Sequence, residues 1–288
     1  MIITILQSII LGLVQGVTEF IPISSSAHLI IVPWLFGWTD PILTSLTFDV
    51  SLHLGTLIAV IIYFAKDWIR LIRAGVMSVI EWKIGNDADR RMAWFVVIGT
   101  IPGGVVGFLA EKKIDELFHQ PGIPISSTAI IVMGLIIALL GTALFFADQY
   151  SHRIKDMNQI TLKDAVIIGL SQALAIFPGV SRSGSTMTTG LALGLKRETA
   201  AKFSFFLSAP IILGAGLNSV YEIFKMRSSG AIAPNEWILF PIGVITAAIS
   251  GFLCIHWLLT YLQKHSVNPF VFYRLGLALL IIVVAIFR

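Results

Sequence analysis

Charge is what this sequence has least of. Only 12% of its residues are Asp, Glu, Lys or Arg, about half the share usual in a soluble domain. Residues 92–110, 117–147, 203–221 and 237–263 contain none of the four. Each run reaches the roughly 17–25 apolar residues that an α-helix needs to cross a bilayer. A soluble chain of 288 residues has room to bury one such helix but not four, so a soluble fold is excluded. Also missing are the segments of about ten alternating apolar and polar residues that mark a transmembrane β-barrel. The runs are long and continuous, and the expected fold is an all-α polytopic membrane protein, in which every backbone group is paired within its own helix.

Cysteine is nearly absent as well. Cys254 stands alone, which rules out an intrachain disulfide and leaves the redox compartment unread. The first apolar stretch lacks a basic n-region before it and a small-x-small cleavage site after it, so it is expected to be retained. The net charge of +4 and pI near 9.3 would suggest nucleic acid in a soluble protein. In a multi-span chain, basic loops follow from the positive-inside rule. The lipid bilayer is the expected partner, and no nucleic acid is.

Six spans can be read, at 46–65, 91–110, 125–147, 198–220, 237–262 and 268–287. Two further apolar segments, 2–36 and 164–195, are each broken in the middle by Pro and Ser. The first breaks at Phe20-Ile-Pro-Ile-Ser-Ser-Ser26 and the second at Phe177-Pro-Gly-Val-Ser-Arg-Ser183. Proline removes a backbone donor and clashes with the preceding turn, so a helix should stop there. Broken backbone at membrane depth is tolerated only inside protein or beside a watery cavity. Both segments therefore read as re-entrant helical hairpins.

The two broken segments also resemble each other. Residues 12–26 set against 169–183 without a gap match at Gly12/Gly169, Leu13/Leu170, Gln15/Gln172, Phe20/Phe177, Ser24/Ser181 and Ser26/Ser183. Phe48/Phe205 and Ser51/Ser208 continue the same offset faintly. An internal duplication follows, with a first repeat over 1–120 and a second over 160–288 inside one membrane domain, 1–288. If the first hairpin opens outward and three spans follow, the second must open inward. On that topology the inner loops hold Lys66, Arg70, Arg73, Lys83, Arg90, Arg91, Arg153, Lys155, Lys163, Lys196, Arg197, Lys202, Lys264 and Arg274. The outer side holds only Lys112, Lys113, Lys225, Arg227 and Arg288. That bias supports inverted-topology repeats, whose broken segments meet near the midplane. The polar stretches 66–90 and 221–236 read as linkers.

Ionisable residues inside apolar segments are costly and point to function. Glu19 and His28 belong to the first hairpin, and Arg182 is the only formal charge between Asp164 and Lys196. Gln15 and Glu19, four apart, share a helical face. A new helix is expected near Ala27, capped by a serine, and another is expected after Ser183, running through Ser185 and Thr186. Free N–H groups at such a start, with a guanidinium beside them, make an anion site. A carboxylate, an imidazole, several hydroxyls and a guanidinium together suit phosphoryl transfer. Other polar residues have plainer readings. Ser8, Thr142 and Ser250 read as packing, as do Cys254 and His256, and Asp49 with His53 reads as a structural pair near a span end.

The stretches Gln15-Gly-Val-Thr-Glu19-Phe-Ile-Pro-Ile-Ser-Ser-Ser-Ala-His28 and Pro178-Gly-Val-Ser-Arg-Ser-Gly-Ser-Thr186 resemble the two signature motifs of the undecaprenyl-diphosphate phosphatases, the bacterial bacitracin-resistance enzymes. The likeness extends over the whole chain in length, span order and motif spacing. It implies conversion of the polyprenyl diphosphate lipid to its monophosphate, with Glu19, Ser25, His28 and Arg182 as catalytic residues. Substrate contacts are then expected from Gln15, Ser24, Ser26, Ser181, Ser183, Ser185 and Thr186. It further implies a divalent cation (Mg²⁺ or Ca²⁺), with Glu19 as candidate ligand. The location implied is the bacterial cytoplasmic (inner) membrane, with the site facing its outer side. Gln15 departs from the Glu that many members carry and can be neither a base nor a strong ligand, which shifts that burden to Glu19. The division of labour between Glu19 and His28 stays open, as does covalent attack by Ser25 against attack by a water it positions. A homo-oligomer is neither required nor excluded.

Two other classes compete. A polyprenyl-phosphate flippase would suit inverted repeats, but it has no need of a nucleophile beside an acid–base pair. A phosphatase resembling phosphatidic-acid phosphatases would need an Arg-Pro pair, which does not occur, and a histidine at position 188, which is Thr188.

Overall fold

The apolar runs are helices. The computed structural model describes residues 1–118, 125–229 and 236–288. Residues 119–124 of the charge-free run, the repeat boundary drawn at 120, and 230–235 of the second linker lie outside the described residues. In chain order the elements are α1 (Ile2–Thr18), α2 (Ser25–Phe36), α3 (Leu46–Tyr63), α4 (Ala65–Ile80), α5 (Ala88–Phe118) and α6 (Ser127–Tyr150). The chain continues with α7 (Leu162–Ala173), α8 (Arg182–Ala192), α9 (Arg197–Ser228), α10 (Leu239–Leu262) and α11 (Asn268–Phe287). Among the described residues, α3, α5, α6, α9, α10 and α11 are long and apolar enough to cross a membrane, and they coincide with the six spans read from sequence. Their outward faces carry exposed large apolar side chains such as Leu135, Leu139, Leu217, Ile245 and Leu279, as lipid contact requires. The chain is a multi-pass membrane protein.

The two broken segments are pairs of shorter helices, α1–α2 and α7–α8. At about 1.5 Å per residue, α2, α7 and α8 are far too short for a bilayer core of about 30 Å. Both second helices begin earlier than the sequence suggests. Ser24 (φ 77°) and Ser181 (φ 70°) sit in the left-handed region, so the chain turns in one residue. The next helix then starts at Ser25 and at Arg182, rather than near Ala27 and after Ser183. Ser181, not Ser183, is the cap, and its Oγ accepts the Gly184 N–H at 3.0 Å.

Each broken segment packs chiefly against the other half of the chain. Helix α1 lies on α10 and α7 lies on α5, and small residues make both approaches possible. A Cβ at Gly12 would come 2.6 Å from the Gly243 carbonyl oxygen, and one at Gly169 would come 2.3 Å from that of Gly99. Helix α3 packs on α9 and α10, and α6 packs on α11. Ser8 donates to the Leu239 carbonyl at 2.7 Å, Ser250 to that of Thr246 at 2.7 Å, and Thr142 to that of Ala138 at 2.9 Å. These hydroxyls are packing groups, as read. Phe20, Phe203, Phe205 and Phe206 are fully buried, and Phe20 meets Phe205 edge-on at 5.1 Å.

Two expectations need correcting. The stretches read as linkers are not featureless: α9 continues through 221–228 of the second, and α4 occupies the first two-thirds of 66–90. Ile69, Ile72, Val76 and Val79 are exposed on it, while Leu71 and Ser78 are buried. Its apolar residues recur at helical spacing among charges, which is the mark of an amphipathic helix. Arg274 does not lie in an inner loop. It sits in the first turns of α11, fully buried, and what holds it there is described with the site. Several of the other basic residues assigned to that side group through acids: Lys202 and Arg70 share Asp67, Lys155 meets Asp164, and Arg197 grips Asp148 with two bonds, at 2.6 and 2.9 Å.

Candidate active site

Glu19 follows α1 and is buried, with 6% of its surface exposed. Three side chains donate to its carboxylate. Gln15 Nε2, one turn back on α1, reaches Oε2 at 3.0 Å. Ser25 Oγ, at the first position of α2, donates to the same oxygen at 2.5 Å. Arg182 Nη2, at the first position of α8, donates to Oε1. A second Arg182 nitrogen reaches the Ser208 carbonyl at 3.4 Å. An isolated carboxylate and guanidinium are each costly to bury, and burial becomes tolerable when they are paired and hydrogen-bonded. The two broken segments, far apart in sequence, are joined at this pair.

The joint is braced on both sides. Ser24 Oγ accepts the Gly179 N–H at 3.1 Å, and Ser183 Oγ donates to the Ile21 carbonyl at 3.2 Å. Arg274 closes it from behind, donating to the carbonyls of Pro22 (3.0 Å), Gly179 (2.9 Å) and Ile137 (3.0 Å). One fork thus ties the first break, the second break and α6. Proline and positive-φ turns leave carbonyls without helical partners, and Arg274 supplies the donors. Its neighbour Tyr273 bonds His28 Nε2 through its hydroxyl at 2.8 Å, while His28 Nδ1 donates to the Ser24 carbonyl at 2.6 Å. Both ring nitrogens of His28 are engaged by the protein.

A cavity of about 220 Å³ opens in front of the joint. Its polar wall is Glu19, Ser25, Ser26, His53, Gln172, Ser181 and Arg182, and its apolar wall includes Val50, Ile176, Ile211, Ile212 and Ala215. Of the residues singled out from sequence, Glu19, Ser25, Ser26, Ser181 and Arg182 face this space. Gln15 supports Glu19 from behind. Ser24 and Ser183 lock the breaks together. Ser185 and Thr186 turn back to the Arg182 carbonyl (3.1 and 2.8 Å), and Thr186 also reaches Ser204 Oγ at 2.7 Å. His28 is behind the wall.

Three residues join the site without having been singled out for it. His53 Nδ1 donates to the Asp49 carbonyl at 2.8 Å, and its Nε2 lies 3.4 Å from Glu19 Oε2. Gln172 lies on the wall near Arg182, and Arg274 is the brace. The gapless match of the two broken segments pairs Gln172 with Gln15, a usable sequence signal. Arg274 lies near the end of a span, where a loop assignment was natural, and nothing in its neighbours marks a brace.

The resemblance to the phosphatases implies a divalent cation. Among the described residues no three His, Cys, Asp or Glu side chains come together in a way that could hold one. Among the described residues Glu19 is the only carboxylate on the cavity wall, and its oxygens are taken by Ser25, Gln15 and a guanidinium. These residues do not fit a resident cation.

Fold and site together define a class: a polytopic helical membrane protein whose polar centre, built where two helices break, can hold an anion beside a carboxylate-bound serine. Residues 8–280 match the family model described as bacitracin resistance protein BacA, and the chain belongs to that family. It is 46% identical over 282 residues to an undecaprenyl-diphosphatase from Desulforudis audaxviator, covering 98% of each chain. It is also 46% identical over 281 residues, again 98% of each, to proteins of the same name from Thermomicrobium roseum and Moorella thermoacetica.

Proposed function

We propose that this protein hydrolyses undecaprenyl diphosphate to undecaprenyl phosphate and inorganic phosphate, which recycles the carrier lipid of cell-wall synthesis and confers bacitracin resistance. The observation that carries this reading is the convergence of the Ser25 hydroxyl and the Arg182 guanidinium on the single buried carboxylate of Glu19. A lipid transporter could use the guanidinium but has no use for a serine hydroxyl held on a base.

Arg182 has five N–H donors in a planar fork, and those not spent on Glu19 and Ser208 are available to a phosphate. Helix α8 starts at Arg182, so its first N–H groups and the positive end of its dipole add to the same anion site. Ser25 attacks the terminal phosphorus and passes its proton to Glu19. The bond from that phosphorus to the bridging oxygen breaks, and the lipid monophosphate leaves with the electron pair. Water then attacks the phosphoserine, the bond from phosphorus to Ser25 Oγ breaks, Glu19 returns its proton to that oxygen, and phosphate departs with the water's oxygen and protons. His28 acts from behind the wall: by fixing the Ser24 carbonyl it holds the turn that aims Ser25. The apolar wall between α3, α5 and α9 suits the start of the polyprenyl chain.

The same reading places the protein in the bacterial cytoplasmic membrane with the cavity opening to its outer side. It treats the halves as inverted repeats, with α1–α2 and α7–α8 as re-entrant hairpins. Support comes from the reciprocal packing of α1 on α10 and α7 on α5, and from the grouping of basic residues near one set of helix ends.

The test is phosphate release from undecaprenyl diphosphate by the purified protein in detergent. Turnover by the wild type that Ser25→Ala and Glu19→Gln both lack is expected. Binding of the lipid without any phosphate release would contradict the reading and favour a flippase.

A further inference from the structure

Gln172 is a buried polar group that the protein itself does not use. It stands on α7, one turn before the second break, and is 3% exposed. Among the described residues neither its side-chain oxygen nor its nitrogen has a hydrogen-bond partner. A buried amide with both ends unmet is destabilising, and buried polar groups are overwhelmingly paired in folded proteins. Such a group therefore calls for an explanation, and its position offers one. Gln172 lines the same cavity as Arg182, Ser181 and Ser25.

The surroundings keep the amide there. On its α5 side the neighbour is Gly103, where an added Cβ would lie 3.2 Å from Gln172 Nε2 and 3.3 Å from its Cγ. A side chain at position 103 would press on the amide, so the glycine keeps room beside it. The pseudo-equivalent Gln15 differs in one respect: its nitrogen is spent on Glu19. Position 176, which the duplication pairs with Glu19, is Ile176, so no carboxylate waits for Gln172. The same amide that serves a protein acid in one half has no protein partner among the described residues in the other.

We propose that Gln172 is a substrate-binding residue, and that its missing partner is the diphosphate of the lipid. Its NH₂ group donates to a phosphate oxygen that also accepts from Arg182. Its carbonyl oxygen accepts from a phosphate hydroxyl or from the water that attacks later. This rests on the proposed function and adds to it a neutral contact that recognises phosphate oxygens without neutralising them.

The experiment compares wild type, Gln172→Leu and Gln172→Glu for the Michaelis constant of undecaprenyl diphosphate and for binding of inorganic diphosphate, measured by calorimetry without turnover. Gln172→Leu should weaken both by about 10-fold to 100-fold, the range for one hydrogen bond to a charged group, with a smaller change in kcat. Its melting temperature without ligand should equal or exceed that of the wild type, because an unmet amide has been removed. Gln172→Glu should weaken diphosphate binding further, by like-charge repulsion. If Gln172→Leu does not fold, Gly103→Ala, which crowds the amide from α5, is used and should weaken binding at least threefold. Inorganic diphosphate bound by Gln172→Leu within threefold of wild type overturns the inference. Wild type that neither releases phosphate nor binds diphosphate instead contradicts the proposed function, so the two failures are distinguishable.

Discussion

The two breaks share a backbone and differ in what hangs from it. In each, a serine with positive φ, Ser24 or Ser181, turns the chain and is followed at once by a helix. In each, a glycine twelve residues earlier, Gly12 or Gly169, lets the preceding helix touch the opposite half. The residues just after the turns occupy equivalent positions and have opposite chemistry: Ser25 in the first break, Arg182 in the second. Both reach Glu19, whose own counterpart is Ile176. The same geometry occurs twice, and a few differing positions put a carboxylate and a hydroxyl in one break and a guanidinium in the other; on the proposed function these are base, nucleophile and anion clamp. Phe20 and Phe177 show the same divergence in packing, since the first is buried against Phe205 and the second is exposed.

The comparison breaks most severely where the two chemistries meet. Glu19→Gln and Arg182→Ala should each lower kcat by about 10³-fold or more, the scale of losing a general base or a charge-stabilising donor. Arg182→Lys should fall within about 10-fold of Arg182→Ala, because an ammonium cannot reproduce the fork. Phosphate-release assays on protein that stays monodisperse check both, and near-normal turnover by Arg182→Lys would show that the fork is dispensable.

Next in size is the brace common to both breaks. Arg274→Met strips donors from the carbonyls of Pro22, Gly179 and Ile137, at about 1–3 kcal/mol for each buried group left unmet. Thermal unfolding should show a clear fall in melting temperature together with lost turnover, and Arg274→Lys should lie between. An Arg274→Met protein as stable and active as wild type would show that the brace holds nothing.

A smaller effect sharpens the backbone half of the comparison. Ser181→Ala removes the cap on Gly184 but keeps a side chain in the left-handed region. Ser181→Gly removes the cap and relieves the strain, which is worth about 1 kcal/mol. Ser181→Gly should therefore melt higher than Ser181→Ala, and the same order should hold at Ser24. Smallest of all is His53→Gln. Nε2 is only at long range from an oxygen already served by Ser25 and Gln15, so phosphate release should stay within about 10-fold of wild type.

Much of this was legible in the sequence, for identifiable reasons. Spans announce themselves through missing charge, and the breaks through proline and serine where apolar runs should continue. Glu19 and Arg182 were legible because ionisable residues at a break have no plainer use, whereas Ser25 was picked out from its neighbouring serines only by the resemblance of the motif. The less legible parts depend on contacts between distant segments. Whether His28 faces the cavity or the wall behind it turns on Tyr273, which lies 245 residues away. The brace by Arg274 and the approach of His53 depend on how α11 and α3 pack, which local pattern does not encode. The helix starts were misplaced by one or two residues because a non-glycine residue with positive φ is uncommon, and serine gives no warning of it.

The central claim is that the two breaks form one catalytic unit through the Glu19–Arg182 contact. A double-mutant cycle on kcat, with Glu19→Gln, Arg182→Gln and the pair combined, tests it most directly. The account predicts strong non-additivity, with the double variant no slower than the worse single variant. Losses that simply multiply would mean that the two residues act independently and would contradict it.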